Sequence, residues 1–171
     1  METLVLAKPE EAKICLEILK MGKAFQNAQG FEQWTDFYPN LQTIEQDIQD
    51  QTGYVLKVDN QIAGYMSISF QEEPAYAIIQ GKWNTSSPYA VIHRLGLSEA
   101  FRGLGLGTHL FDLIENLCLK NGIQTIRIDT HQANLPMQHV LAKQGFSKCG
   151  IIWIHGGERL AFDKKVTSSP A

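Results

Sequence analysis

The chain has 171 residues, 44% of them apolar and 19% charged, with a formal net charge of −3. That length suffices for one well-packed domain and is short for two, and the composition is that of an ordinary globular protein. The slight acidic excess speaks against a nucleic-acid surface, which shows as a basic excess, and no apolar run approaches about 18 residues, so no membrane span is expected.

In chain order, "TLVLAK" reads as a short opening strand and Pro9 opens a helix. Ile14, Ile18, Met21 and Phe25 recur on that helix at helical spacing, which predicts them as its buried face. Gly30 ends it. "FEQWTDFYPN" is aromatic and irregular, and Asn40 is placed to cap a second helix, "LQTIEQDIQDQ". In "YVLKVDNQIAGYMSISF" two alternating apolar runs flank Asp59-Asn60, the pattern of a β-hairpin. From Gln71 to Pro88 polarity rises and "NTSSP" is a loop, which makes Glu72, Glu73, Tyr76 and Trp83 candidates for a surface or a lid.

"YAVIHRLGL" is the next strand and leads into "SEAFRGLGLG". Leu106, Leu110, Ile114 and Leu117 then keep helical spacing until Asn121-Gly122 stops the helix. "TIRIDTH" is a buried strand, so strand, glycine turn, helix and strand form a βαβ unit whose two strands should run parallel. "NLPMQHVLAKQG" gives another helix, and the chain closes as a hairpin about Gly156-Gly157 with a frayed tail at 166–171. Without repeats or a linker, the expectation is one α/β domain over residues 1–165 with a mixed sheet.

Cys15, Cys118 and Cys149 are widely spaced, with no C-x-x-C pair, and read as buried free thiols in a reducing compartment. "METLVLAKPEEAK" has no signal-peptide core, so a cytoplasmic protein is expected. His93, His131, His139 and His155 lack metal-ligand spacing, and no metal is expected.

Gly103, Gly105 and Gly107 crowd the point where a helix should begin, although Gly costs about 1 kcal/mol against Ala inside a helix. Either the segment is a plain tight turn, or its bare N–H groups cradle an anion. A dinucleotide fingerprint fails, because Leu110 or Thr108 stands where its last glycine is needed. A Walker A loop fails for want of Gly-Lys-Ser/Thr.

"LGLSEAFRGLGLG" resembles the signature of the GNAT N-acyltransferase superfamily, with Arg102, Gly105 and Gly107 at the fixed positions of R-x-x-G-x-G. A second signature, Asn134 followed by Gly145-Phe146, stands on the far side of the βαβ unit. The resemblance covers Tyr89 to Lys165 well, and the first half mainly in element order. It implies a mixed, mostly antiparallel sheet with a central parallel βαβ pair, flanked by helices.

It also implies an acetyl-CoA cofactor. Its diphosphate would lie on the backbone of Arg102, Gly103, Leu104, Gly105, Leu106, Gly107 and Thr108. Leu95, Gly96 and Leu97 would meet the pantetheine and, through a backbone N–H, polarise the thioester carbonyl. Asn134 is a side-chain partner for the pantetheine amides, or a helix N-cap.

An alkylamine with a pKa of about 10.4 arrives mostly protonated near neutral pH, so a base is useful. Many family members carry a Glu two residues before the L-x-V stretch. His93 stands there in this sequence, a competent base near neutrality, or a strand residue bonded within the sheet. Family members also commonly carry a general-acid Tyr where this chain has Leu141, though a thiol of pKa about 8.5 leaves tolerably unaided.

Acceptor contacts are expected from Trp34, Tyr38, Glu73, Trp83, Asp129 and His131. The reading is N-acetyl transfer to a small amine or peptide α-amine, direct in a ternary complex. The rival is a non-catalytic acyl-CoA-binding sensor or scaffold, kept alive by the missing Glu and Tyr. Neither nucleic acid nor membrane is an expected partner, and a homodimer is among the open oligomeric states.

Overall fold

The structure, a computed structural model, describes residues 1–86 and 88–167. Its elements are β1 (Glu2–Leu6), α1 (Ala12–Ala28), α2 (Leu41–Gln49), β2 (Gly53–Val58), β3 (Gln61–Ser69), β4 (Gln80–Gly81), β5 (Ala90–Leu97), α3 (Leu106–Lys120), β6 (Thr125–Thr130), α4 (Leu135–Lys143), β7 (Ser147–Ile154) and β8 (Gly157–Lys165). The strands hydrogen-bond in the order β1-β2-β3-β5-β6-β8-β7-β4. The sheet is mostly antiparallel, with β5 and β6 as the parallel pair, as the βαβ reading expects. That ladder runs from Ala90↔Ile126 to Ile92↔Ile128.

Contacts divide the chain into two compact units, one of Met1–Ile68 with His93–Leu113, the other of Ser69–Ile92 with the chain from Ile114 on. In the first unit the core gathers Cys15, Leu19, Trp34, Ile44, Val55 and Tyr65. The face of α1 that enters it differs from the expected one. Ala12, Cys15, Ile18, Leu19, Gly22 and Gln26 are buried, whereas Ile14 is 52% exposed. Small side chains decide this: a Cβ at Gly22 would come within 2.6 Å of the Trp34 ring, so the helix buries the stripe that admits the largest partner. Hydrophobicity alone ranks Ile above Gly and chooses the wrong face.

Other local signals work as the chemistry dictates. Asn40 caps α2 by accepting from the Thr43 N–H at 2.9 Å, and Asp59 and Asn60 both adopt positive φ in the β2–β3 turn, as a two-residue hairpin requires. The β7–β8 turn also has two positive-φ residues, but they are His155 and Gly156. The bend therefore sits one residue earlier than expected, and Gly157 starts β8. Val166, expected in a frayed tail, is buried and donates its N–H to the Gln124 carbonyl at 2.7 Å; residues 168–171 lie outside the described residues.

A buried charge pair organises the first unit. Arg94 in β5 has a φ of 55°, a left-handed conformation that costs an L-residue roughly 1–2 kcal/mol. Its guanidinium donates from Nε to Asp47 Oδ2 at 2.9 Å and from Nη2 to Oδ1 at 2.6 Å. Nη1 donates to the Tyr38 hydroxyl at 2.8 Å, and the Tyr65 hydroxyl donates to Asp47 Oδ2 at 2.6 Å. Burial opposes the Arg94 charge, but Asp47 and Tyr38 outweigh it and hold the proton more firmly than usual.

In the second unit, the segment read as a surface or lid is strapped to the sheet. It contains a short 3-10 turn at Pro74–Ala77 and the edge strand β4, paired to β7. Asp163 on β8, 2% exposed, accepts from the Asn84 N–H at 2.8 Å, the Thr85 N–H at 2.9 Å and the Thr85 hydroxyl at 2.9 Å. Arg127 on β6 donates to the Thr85 carbonyl at 2.6 Å. Its guanidinium lies 4.3 Å from the ring centroids of both Trp83 and Tyr89, a cation–π arrangement that a desolvated site strengthens. Ser87, within the expected loop, lies outside the described residues.

Three substitutions test these networks. Asp47→Ala leaves the Arg94 charge buried without its carboxylate and should cost about 3–5 kcal/mol; Tyr65→Phe removes one bond to a charged group and should cost about 1.5–3 kcal/mol. Urea unfolding followed by circular dichroism checks both. For Asp163, burial raises the carboxyl pKa but hydrogen bonds from Cys149, Thr85 and Asn84 more than offset it, so the value falls below the ordinary 3.8. The native state then binds fewer protons than the unfolded chain, so this stabilisation is complete above pH about 4 and is lost as pH falls through the lowered native value. Asp163→Asn should flatten that acid limb in melting temperatures measured against pH.

Candidate active site

The glycine turn leaves β5 through Ser98, whose N–H donates to the Ala63 carbonyl at 2.8 Å. A 3-10 turn at Glu99–Phe101 follows, and the Arg102 N–H closes it on the Glu99 carbonyl at 3.2 Å. Gly103 and Gly105 have φ of 77° and 72°, and a Cβ built at Gly103, Gly105 or Gly107 meets nothing within 4 Å. Among the described residues, no protein group accepts from the N–H of Gly103, Leu104 or Gly105. Leu106 and Gly107 open α3, where N–H groups have no partner within the helix. The turn therefore presents unengaged amides, with the helix's partial positive charge behind them, a geometry that suits a diphosphate.

Around the turn, Arg102 lies with its guanidinium carbon 4.9 Å from the Phe25 ring centroid. Leu104 is 65% exposed, while Leu106 is buried in the core. Thr108 is exposed at the start of α3. Upstream, Gly96 is buried, and a Cβ there would lie 3.1 Å from Leu19 Cδ2. Leu95 and Leu97 are half-buried on either side of it, and so is His93. The first unit thus gathers His93, Leu95, Gly96, Leu97 and the turn from Arg102 to Thr108 along one continuous stretch of strand and turn.

Asn134 serves as the N-cap of α4, its side-chain oxygen accepting from the Met137 N–H at 3.1 Å. Leu141, in the position of the family's tyrosine, is fully buried, and His139 is exposed.

The expected acceptor residues separate into different surroundings. Trp34 is 6% exposed in the first unit's core, held against Gly22, and it also lines a cleft of about 340 Å³ beside Leu19, Lys23 and Pro39. Tyr38 accepts the Arg94 bond described above. In the second unit Glu73 caps the 3-10 turn, taking the Ala75 N–H at 3.3 Å, and Trp83 donates from Nε1 to the Tyr76 carbonyl at 2.8 Å. Asp129 and His131 end β6. The Tyr76 hydroxyl donates to Asp129 Oδ2 at 2.6 Å, and burial together with Asp129 pushes the Tyr76 pKa well above its usual range. His131 Nδ1 accepts from the Ala133 N–H at 3.0 Å, so Nε2 carries the ring proton of the neutral form. Burial, then the Arg159 charge, lower the His131 pKa and keep it neutral near pH 7.

Sequence reasoning missed Asp47, Arg94, Arg127, Arg159 and Asp163. Asp47 follows Ile44 by one helical step and Arg94 follows Ile92 on the alternation of β5, so these two interrupt apolar faces, a signal legible in the sequence. Arg127, Arg159 and Asp163 stand at the polar or small positions of alternating strands and carry no such signal.

The three thiols are chemically quiet. Burial pushes Cys15 and Cys118 up to about 12 and Cys149 up to about 11, so none is a thiolate near neutral pH. Among the described residues no group of three or more His, Cys, Asp or Glu is arranged to hold a metal ion, and no helix is long and apolar enough to cross a membrane.

Comparison with known proteins bears on this geometry. The model of the Acetyltransferase (GNAT) family matches residues 21–146. A GNAT-family acetyltransferase from Streptococcus agalactiae 2603 is 31% identical, with 98% of this chain and 96% of that one covered and a TM-score of 0.86. One from Listeria monocytogenes 4b F2365 is 20% identical over 96% of this chain and 94% of that one, with a TM-score of 0.74. The aminoglycoside acetyltransferase AAC(6')-Ib, crystallised with coenzyme A and kanamycin, shares the fold at 20% identity and a TM-score of 0.70, over 96% of this chain and 95% of that one. A search of curated proteins finds no match. With a family model spanning most of its length and a 31%-identical structure spanning nearly all of it, the chain belongs to the GNAT acetyltransferase family.

Proposed function

We propose that the protein is an acetyl-CoA-dependent N-acetyltransferase acting on a small amine or a peptide α-amine by direct transfer. The observation that carries this reading is the run of unengaged amides from Gly103 to Gly105 at a strand-to-helix junction. Those amides, with Arg102 beside them, would hold the diphosphate of coenzyme A, and the main chain of Leu95, Gly96 and Leu97 would hold the pantetheine. Acetyl-CoA supplies an acetyl group already activated as a thioester. A backbone N–H at the end of β5 would polarise the thioester carbonyl and favour the charge that develops on its oxygen.

His93 takes the proton from the amine nitrogen, directly or through one water. Direct transfer is supported by the thiols: with pKa values of about 11 to 12, none offers a competent nucleophile for a covalent acetyl-enzyme. Coenzyme A complexes of family members of the same fold support the cofactor.

Calorimetry with acetyl-CoA, then thiol release across a broad amine panel, tests the reading. Binding with turnover of at least one amine is the expected result; tight binding with no turnover would turn the assignment to an acyl-CoA sensor. Gly105→Ala forces an L-residue to a φ of 72°, so the turn should distort and the Kd for coenzyme A should rise, by about tenfold for a cost of roughly 1–2 kcal/mol. His93→Ala should lower kcat/KM by about 10²- to 10⁴-fold and remove the rising limb of the pH–rate profile. An unchanged profile would take the base role from His93.

A further inference from the structure

Arg159, at the start of β8, has the Asp129 carboxylate near enough to act on its charge but no hydrogen bond to it among the described residues. The residue is 8% exposed, and its one side-chain hydrogen bond among the described residues runs from Nη1 to the neighbouring Glu158 carbonyl, at 2.8 Å. Nε and Nη2 keep their donors for something else, and they touch solvent, since neither is among the fully enclosed unsatisfied atoms. A guanidinium brought this far out of water normally faces a carboxylate or phosphate on its planar fork. The guanidinium itself takes the room left at Gly157, where a Cβ would lie 2.9 Å from Nη1.

The register places Arg159 among groups of complementary chemistry. Asp129 pairs with Ala161 across the β6–β8 ladder, so Arg159, two residues before Ala161, shares the face of Asp129. On that face Tyr76 packs with Ile152 and Ala161 and fixes the Asp129 carboxylate through its hydroxyl. His131 continues the same face two residues on, near enough to Arg159 to feel its charge. A cation with spare donors and an anchored anion thus stand together at the carboxyl end of a parallel strand, where α/β sheets receive ligands.

We infer that Arg159 binds a carboxylate on the acceptor, and hence that the acceptor is an amino acid or another amine bearing a carboxylate. This rests on the acetyltransferase reading for what happens to the amine. The carboxylate contact itself is a binding property that stands or falls separately.

The test pairs amino acids with their own carboxamides and decarboxylated amines as acceptors for the full-length protein with acetyl-CoA. KM should be lower for the carboxylate of each pair by about 10- to 100-fold, the range of one hydrogen-bonded charge contact. Arg159→Ala should collapse that ratio, and Arg159→Lys, which keeps the charge but loses the fork, should retain part of it. Melting temperature and acetyl-CoA affinity of each variant show that it folds. Equal KM values within wild-type pairs, or a ratio untouched in Arg159→Ala, would overturn the inference while leaving the acetyltransferase reading intact. If no amine turns over, the deciding measurement is calorimetric titration of the same amino acids and carboxamides without acetyl-CoA. Saturable binding selective for the carboxylate and lost in Arg159→Ala supports the inference, and its absence overturns it.

Discussion

The ion pair of Asp47 with Arg94 fixes the geometry of the first unit. A strand alternates its side chains with period two, and Arg94 breaks that alternation with a left-handed backbone inside β5. The break is sustainable because both oxygens of a buried carboxylate on α2 hold the guanidinium. Removing such a partner typically costs about 3–5 kcal/mol, more than the roughly 1–2 kcal/mol that a left-handed L-residue costs. The side-chain contact therefore dominates the backbone preference. Everything that follows Arg94 on the strand, from Leu95 through the glycine turn, takes its direction from a residue whose conformation is dictated by a helix 47 positions earlier in sequence.

The second unit uses buried charge for another purpose. Arg127 and Asp163 are turned toward the strap formed by the segment before β5: two aromatic rings and the Thr85 carbonyl meet the guanidinium, whose Nε is buried without a hydrogen bond among the described residues, and main-chain N–H groups meet the carboxylate. Arg159 lies on the same strand as Asp163, two residues before Ala161 where Asp163 is two residues after it, and has the Asp129 carboxylate near it without a hydrogen bond between them. The three differ in what surrounds them and not in residue type, so burial of charge in this sheet is a construction element in two cases and a binding element in the third.

Legibility in the sequence followed the range of the interaction. Signals resolved within a few residues were readable: the Asn40 cap, the positive-φ pair Asp59-Asn60, the βαβ unit and the glycine turn. The α1 face was misread because Gly22 is buried by Trp34, twelve residues away, and apolar periodicity cannot register that a missing side chain makes room for a large one. Residues 71–88, read as a surface or a lid, are exposed at many of the described positions, but what holds the segment in place is again a long-range contact. Its polarity is real, but the groups that satisfy it belong to Arg127 and Asp163, far along the chain. Asp47 and Arg94 were visible as charges on apolar faces, yet only coordinates tell which charges are hydrogen-bonded within the protein and which, like Arg159 beside Asp129, are near an opposite charge without such a bond.

The glycines of the turn separate by cause. Gly103 and Gly105 answer to their own backbone, since both have positive φ. Gly107 does not: its φ is ordinary and a Cβ there would touch nothing in the protein, so neither conformation nor packing within the chain asks for glycine at that place. A helix start concerned only with its own stability gains from Ser, Thr or Asp near this point and loses about 1 kcal/mol from Gly compared with Ala. Glycine in the first turn of α3 leaves its amide open to a group approaching from outside, and a bulky anion is the approach that this chemistry favours.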